Sequence, residues 1–555
     1  MPGGPLIVQS DRTVLLEVAH PEANDARHAL AVFAELERAP EHVHTYRITQ
    51  LGLWNARAAG HTAEQMLETL ERYAKFPIPD AVAVDLRDTV ARYGRLVIER
   101  DERDDAEPGA LVLSSDDEAV LRTVTRSKKV APMLRGEVAD GVVSVEPWAR
   151  GELKQQLVKL GWPAEDLAGY TPGTPHAIAL DEVEWSMRGY QRDAVDHFFV
   201  GGSGVVVLPC GAGKTIVGAG AMAAAKTNTL ILVTNTVSAR QWRHELLERT
   251  TLTDDEIGEY SGEMKEIKPV TIATYQILTA RRKGAYTHLS LLDALDWGLI
   301  VYDEVHLLPA PVFKLTAELQ ARRRLGLTAT LVREDGREGD VFSLIGPKRF
   351  DAPWKDIEAQ GYISPAECFE VRIDLPYEDR MQYAAASDEE RYRIAASAPA
   401  KLPIVRSLID RHRGENILVI AQYLDQIAEI SEALGVPKLT GQTPVAEREE
   451  LYQAFRDGTT PVLVVSKVAN FSVDLPDASV AIQVSGSYGS RQEEAQRLGR
   501  LLRPSSSGVT ASFYTLVARD TVDQDFAQNR QRFLSEQGYA YTIVDGADVL
   551  EAASA

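Results

Sequence analysis

The stretch VVVLPCGAGKT, Val205 to Thr215, decides how the rest of the chain is read. A short β-branched run leads into a glycine-punctuated turn, and Gly213-Lys214-Thr215 opens an alanine-rich helix. Glycines at such a turn let backbone N–H groups curl around phosphate oxygens, and the helix N-terminus adds partial positive charge. On this pattern Pro209, Cys210, Gly211, Ala212, Gly213, Lys214 and Thr215 line the phosphates of ATP. Lys214 reaches the β- and γ-phosphates, and the Thr215 hydroxyl holds Mg²⁺. Leu208 stands where the usual motif has its first glycine, so the loop alone also reads as an ordinary strand–turn–helix.

Outward from the loop, the chain from Trp185 to about Gly346 alternates short apolar strands (TLILVT, VTIAT, GLIVY, LGLT) with helices. That is the pattern of a parallel α/β sheet, whose ligands gather at the C-terminal ends of the strands. Asp303-Glu304-Val305-His306 follows GLIVY at such an end. Nucleotide hydrolysis needs one carboxylate near Mg²⁺ and a second to activate water, and adjacent acids at a strand end supply both. Asp303 is expected to hold the metal and Glu304 to orient and deprotonate the attacking water. The bland alternative is an acidic pair on a solvated turn.

A second α/β series follows, with strands ILVIA (Ile417 to Ala421), VLVVS (Val462 to Ser466), VAIQV (Val480 to Val484) and ASFYTL (Ala511 to Leu516). It has no phosphate loop of its own. In QRLGRLLRP, Gln496 to Pro504, Arg500 and Arg503 lie at i and i+3, on one helix face. From a second domain they could reach a γ-phosphate as the cleft closes.

Ahead of the first sheet, LIVQSDRTVLLEV reads as a hairpin and ARHALAVFAELERA as a helix. A helix through Leu51 and Trp54 then stops at Gly60, and a second begins at Thr62, where Thr62 and Gln65 form a capping-box pair. Two helices across a glycine turn suggest a helix-turn-helix or winged-helix piece, with a small helical packing module the favoured reading over DNA reading on spacing alone. Glu64, Glu68 and Glu71 on the second helix are what a phosphate-facing helix would avoid. The predicted units are 1–95, 96–180 (a small α+β module ending in a linker), 181–352 and 353–555.

The 555 residues exceed what one core organises, and no apolar run is long enough to span a membrane. The N-terminus shows no secretory signal, and two cysteines, Cys210 and Cys368, make no disulfide framework. A cytoplasmic protein is expected. The net charge of −21 reports solubility and leaves room for a local basic track.

Gly-Lys-Thr, then DEVH, then Gly326-Leu327-Thr328-Ala329-Thr330, then QRLGRLLRP together resemble a superfamily 2 helicase. LPCGAGKT, LVTNTVSARQW, Arg333-Glu334-Asp335, SVDLPDASVAIQVSGSYGSRQEEAQRLGRLLRP and RQRFLSEQGYAY narrow the resemblance to the XPB family, as a prokaryotic member. The resemblance implies two RecA-like domains closing over ATP and Mg²⁺ and 3′→5′ translocation or unwinding on DNA, with links to nucleotide excision repair. It implies that Arg188 and Gln191 read adenine, that Gln496 belongs to the catalytic set with both arginines, and that His306 touches Thr328 or Thr330 and couples hydrolysis to DNA. Residues 376–393 occupy the place of a thumb-like insertion, and Ala110 to Tyr170 that of a damage-sensing domain. DNA contacts are expected at Thr236, Ser238, Arg240, Gln241, Thr274, Tyr275, Arg333, Glu334, Asp335, Ser466, Lys467 and Arg491. Trp242 reads either as a base-stacking ring or as one buried behind its loop. The same motifs also serve a duplex translocase that separates no strands, or an ATP-switched scaffold recruiting a nuclease or the transcription machinery. A monomer is expected, with any incision left to a partner nuclease.

Overall fold

The computed structural model describes residues 3–39, 42–103, 106–209, 211–282, 285–309, 312, 316, 319–320, 322–329, 338–352, 357–358, 365–466, 478–486, 510–536, 539 and 541–554. Its N-terminal sheet holds β1 (Leu6–Val8), β2 (Thr13–Glu17), β3 (Glu35–Arg38) and β4 (Val43–Arg47), antiparallel in the order β1-β2-β4-β3. Helices α1 (Ala23–Leu30), α2 (Gln50–Ala58), α3 (Ala63–Tyr73) and α4 (Asp80–Arg92) accompany it. The predicted hairpin is present, but the helical run ends at Leu30 and ELER becomes strand β3. Pairing of Glu35 and Leu36 with Arg47 and Tyr46 outweighs the helical spacing of that run. The α2–α3 pair turns at Gly60, with φ +100°, and the Thr62–Gln65 capping box forms in both directions.

The next unit is a five-stranded sheet of β5 (Leu96–Arg100), β6 (Leu111–Ser114), β7 (Leu134–Ala139), β8 (Val142–Val145) and β9 (Ala164–Asp166), in the order β7-β8-β6-β5-β9. Helices α5 (Glu118–Thr125) and α6 (Arg150–Lys159) lie within it. Arg150 and Lys154 both bind Asp166, at 2.8 and 2.7 Å, tying α6 to β9 in a nearly dry site.

The first large sheet follows helix α7 (Gly189–Gly201). Its elements are β10 (Ser203–Val207), α8 (Lys214–Ala225), β11 (Thr229–Val233), α9 (Thr236–Arg249), β12 (Ile257–Tyr260), β13 (Val270–Thr274), α10 (Tyr275–Thr279), β14 (Leu299–Asp303), β15 (Arg323–Thr328), α11 (Glu338–Leu344) and β16 (Lys348–Asp351). All seven strands are parallel, ordered β12-β13-β11-β14-β15-β10-β16. β10, β11 and β13 are buried along their whole length, which is why they read as continuous apolar runs.

The second large sheet holds β17 (Ala366–Ile373), β18 (Ile417–Ala421), β19 (Lys438–Leu439), β20 (Val462–Ser466), β21 (Val480–Gln483), β22 (Ala511–Ala518) and β23 (Tyr541–Asp545). These are again parallel, ordered β19-β20-β18-β21-β22-β17-β23. Residues 376–393 lie in two helices, α12 (Tyr377–Ala385) and α13 (Asp388–Ala396). Helices α14 (Lys401–Arg411) and α15 (Leu424–Leu434) pack near the β17–β18 side. The expected pair of parallel-sheet domains behind smaller N-terminal α/β modules is therefore what the chain forms.

The N-terminal module covers the edge of the first sheet. Asn55 on α2 accepts a 2.8 Å hydrogen bond from the Lys348 N–H of edge strand β16. Trp54 and Tyr93 place their rings 6.4 and 6.2 Å from Phe342 on α11.

Candidate nucleotide site

Parallel order puts the C-terminal ends of β14, β15 and β10 side by side, and the candidate residues collect there. Gly211 and Gly213 take φ +81° and +78°, which favours glycine, and Gly213 is the residue from which α8 starts. A Cβ on Gly213 would lie 2.4 Å from Gln191 Nε2, so the loop closes tightly on α7. Gln191 is 2 % exposed; its amide donates to Ala212 O at 2.9 Å and accepts the Arg188 N–H at 2.9 Å. Tyr190 Oη donates to the same carbonyl at 2.7 Å. The residue expected to read adenine is thus turned inward and braces the turn at residues 211–213, and the Arg188 guanidinium lies 3.2 Å from Tyr190 Oη.

Lys214 Nζ stands 3.4 Å from Glu304 Oε1, and His306 Nδ1 lies 3.4 Å from Glu304 Oε2. Burial alone would raise the Glu304 carboxyl, but the Lys214 and His306 charges outweigh it and hold it below the usual range. Asp303 moves the other way, raised by burial and by the neighbouring Glu304 charge. The two acids are therefore unlike: the charges around Glu304 favour its ionised form, while burial and its neighbour work against that of Asp303. His306 Nδ1 also meets Thr328 Oγ1 at 2.5 Å, at the end of β15.

Two residues around Asp303 were not assigned to this site from sequence. Trp242 on α9 is buried, and its indole Nε1 donates to Asp303 Oδ2 at 2.9 Å. Tyr275 Oη donates to the Asp303 carbonyl at 2.8 Å. The available signal was Gly218, inside the otherwise alanine-rich α8: a Cβ there would sit 2.4 Å from Trp242 Cη2.

This geometry corrects part of the expected DNA track. Thr274, Tyr275 and Ser466 are each 3 % exposed, so their side chains are not available to a strand passing over the surface. Thr274 ends β13 and Tyr275 opens α10, and the Tyr275 hydroxyl reaches the Asp303 carbonyl. Arg240 and Gln241 are exposed on α9, and Thr236 and Ser238 are half-buried. Arg240 pairs loosely with Glu263, at 3.4 Å. Cys210, Thr330, Arg333, Glu334, Asp335, Lys467, Arg491, Gln496, Arg500 and Arg503 lie outside the described residues.

The donor set fits MgATP. Among the described residues no three His, Cys, Asp or Glu side chains converge as a metal cluster. A magnesium ion carried by phosphates asks for only one or two protein ligands, which Asp303 and Thr215 would supply.

Fold and site together define the class of two-sheet nucleotide-driven motors. Residues 357–554 match the family described as ERCC3/RAD25/XPB C-terminal helicase, 6–139 the helicase conserved C-terminal domain, and 184–333 the type III restriction enzyme res subunit. The chain is 65 % identical over 549 residues to a DNA 3′-5′ helicase XPB of Kineococcus radiotolerans, covering 99 % of this chain and 98 % of that one. It is 62 % identical over 550 residues to a DNA 3′-5′ helicase XPB of Mycobacterium tuberculosis, covering 99 % of each. A general transcription and DNA repair factor IIH helicase/translocase subunit XPB of Antonospora locustae is 34 % identical over 572 residues, 97 % of this chain and 81 % of that one. The chain belongs to the XPB family and groups with its bacterial members.

Proposed function

We propose that this protein is an ATP-driven 3′→5′ DNA helicase whose setting is DNA repair by nucleotide excision, with the two large sheets as its motor. The observation that carries the reading is the meeting of Lys214, at the start of α8, with Glu304, next to Asp303 at the end of β14. It stands in a chain two-thirds identical, end to end, to a protein named as a DNA helicase. The functional units are 1–95, 96–180, 181–352 and 353–555.

In this reading the phosphate loop and Lys214 bind the ATP phosphates. Thr215 and Asp303 hold Mg²⁺, which when bound neutralises phosphate charge. Glu304, kept ionised by Lys214 and His306, orients water and takes its proton. Gln496, Arg500 and Arg503 complete the site from the second domain. His306 ties Glu304 to Thr328, so the base feels the segment after β15. DNA runs past Thr236, Ser238, Arg240 and Gln241 and on to Lys467 and Arg491, with Arg333-Glu334-Asp335 at the point of strand separation. A repair nuclease would supply incision, and the protein acts as a cytoplasmic monomer.

Strand displacement on a 3′-tailed duplex tests the reading: ATP-dependent release of the short strand is expected, and a preference for RNA over DNA would overturn the substrate. The helicase/translocase name of the Antonospora relative favours one second reading, translocation on duplex DNA. Displacement of a triplex strand without duplex separation would select it.

A further inference from the structure

Asp303 is held from two sides by groups that nucleotide binding does not itself require. Its carboxylate Oδ1 accepts the Glu304 N–H at 3.1 Å, and Oδ2 accepts the Trp242 indole N–H at 2.9 Å. Its carbonyl accepts the Tyr275 hydroxyl at 2.8 Å. An indole N–H donates and never accepts, so its partner must present a lone pair. A carboxylate oxygen has two, which leaves one on each oxygen for a metal or its water.

Trp242 is itself fixed. It is 2 % exposed, and its ring edge fills the space that Gly218 leaves open on α8, the helix that begins at Lys214. Tyr275 is 3 % exposed. Neither side chain faces solvent, and neither is needed to close the phosphate loop, which Gln191 and Tyr190 brace from the other side.

We propose that Trp242 is a positioning residue for ATP hydrolysis. Its indole N–H, with the Tyr275 phenol behind the backbone, sets the Asp303 carboxylate in the orientation that receives Mg²⁺ with the nucleotide. This rests on the reading of Asp303 as the metal-holding carboxylate. Trp242→Phe keeps an aromatic ring in place and removes only the donor and the fused ring. Tyr275→Phe removes one oxygen.

The test is calorimetric binding of ADP to the full chain, once with Mg²⁺ and once with EDTA. For Trp242→Phe, affinity in Mg²⁺ is expected to fall about tenfold, the scale of one hydrogen bond to a charged group, with affinity in EDTA unchanged. Tyr275→Phe, the gentler change, should show the same pattern at about threefold. Combining Trp242→Phe with Asp303→Asn should add nothing to Asp303→Asn alone. Equal losses with and without Mg²⁺ would overturn the proposal, because a merely structural tryptophan loosens the loop for both. So would unchanged affinity in Mg²⁺. Lys214→Ala serves as the separate control: if it still bound ADP normally, the nucleotide site itself would be misassigned.

Discussion

Glu304 has φ +48° and ψ +54°, the left-handed region that costs a non-glycine residue about 1–3 kcal/mol. Its N–H turns back onto Asp303 while its carboxylate reaches toward Lys214 and His306. That the two acids here turn to different partners was legible in the sequence, because adjacent carboxylates at a strand end must diverge. The direction of Gln191 was not: an amide that can pair with adenine pairs equally well with a backbone carbonyl, and only the tight approach of Gly213 decides it. A further residue carries a pH signature. His44 on β4 is buried next to Arg27, and burial first, then the arginine charge, pushes its imidazole down to about 4. The unfolded chain takes up this proton near pH 6.5, whereas the folded chain refuses it until about pH 4. The stability His44 contributes is therefore complete above about pH 6.5 and is lost as pH falls toward 4, up to about 3 kcal/mol. Thermal melts from pH 7 to 4.5 should show the loss in the wild type and a flatter curve in His44→Leu.

At the scale of elements, parallel strands were easy to read and their partners harder. β10, β11, β18 and β20 announce themselves as continuous β-branched runs because helices cover both faces. β17 does not, since Glu367, Glu370 and Arg372 interrupt it. Glu370 is nonetheless buried, satisfied by Arg372 and Gln531 at 2.7 Å each. Thr274 and Tyr275 were rightly placed at a strand end, but a strand end does not say which way a side chain points. The turn ahead of α8 gives a direct test. Gly213→Ala forces a Cβ into Gln191 at a positive φ, and ADP affinity should fall at least tenfold, read by titration. In the second sheet Lys401 on α14 reaches Asp523 at 2.7 Å, with 1 % and 0 % of the two side chains exposed. It also donates to the Val484 and Leu516 carbonyls. Lys401→Met takes the cation away from that buried carboxylate, and a destabilisation of about 3–5 kcal/mol is expected in urea unfolding.

On the scale of the whole molecule, the N-terminal module behaves as part of the motor's first sheet. The Asn55–Lys348 bond caps an edge strand that would otherwise offer free N–H groups, and Trp54 and Tyr93 fasten the same module to α11. The sequence announced the helix pair but not what it packs on, because a docking face looks like any other half-polar helix surface. Asn55→Leu should release the edge, and hydrogen exchange at residues 348–351 should speed up about tenfold while β11 stays protected. With a net charge of −21, DNA must be met by a narrow track rather than a basic surface. The claim on which everything else depends is that ATP is hydrolysed at Lys214 and Glu304 and that DNA drives the rate. The direct measurement is ATP turnover with and without forked DNA for the wild type and Glu304→Gln. DNA should stimulate the wild type, and the variant, still binding ATP, should fall by about a hundredfold or more. Full turnover by Glu304→Gln would contradict the account.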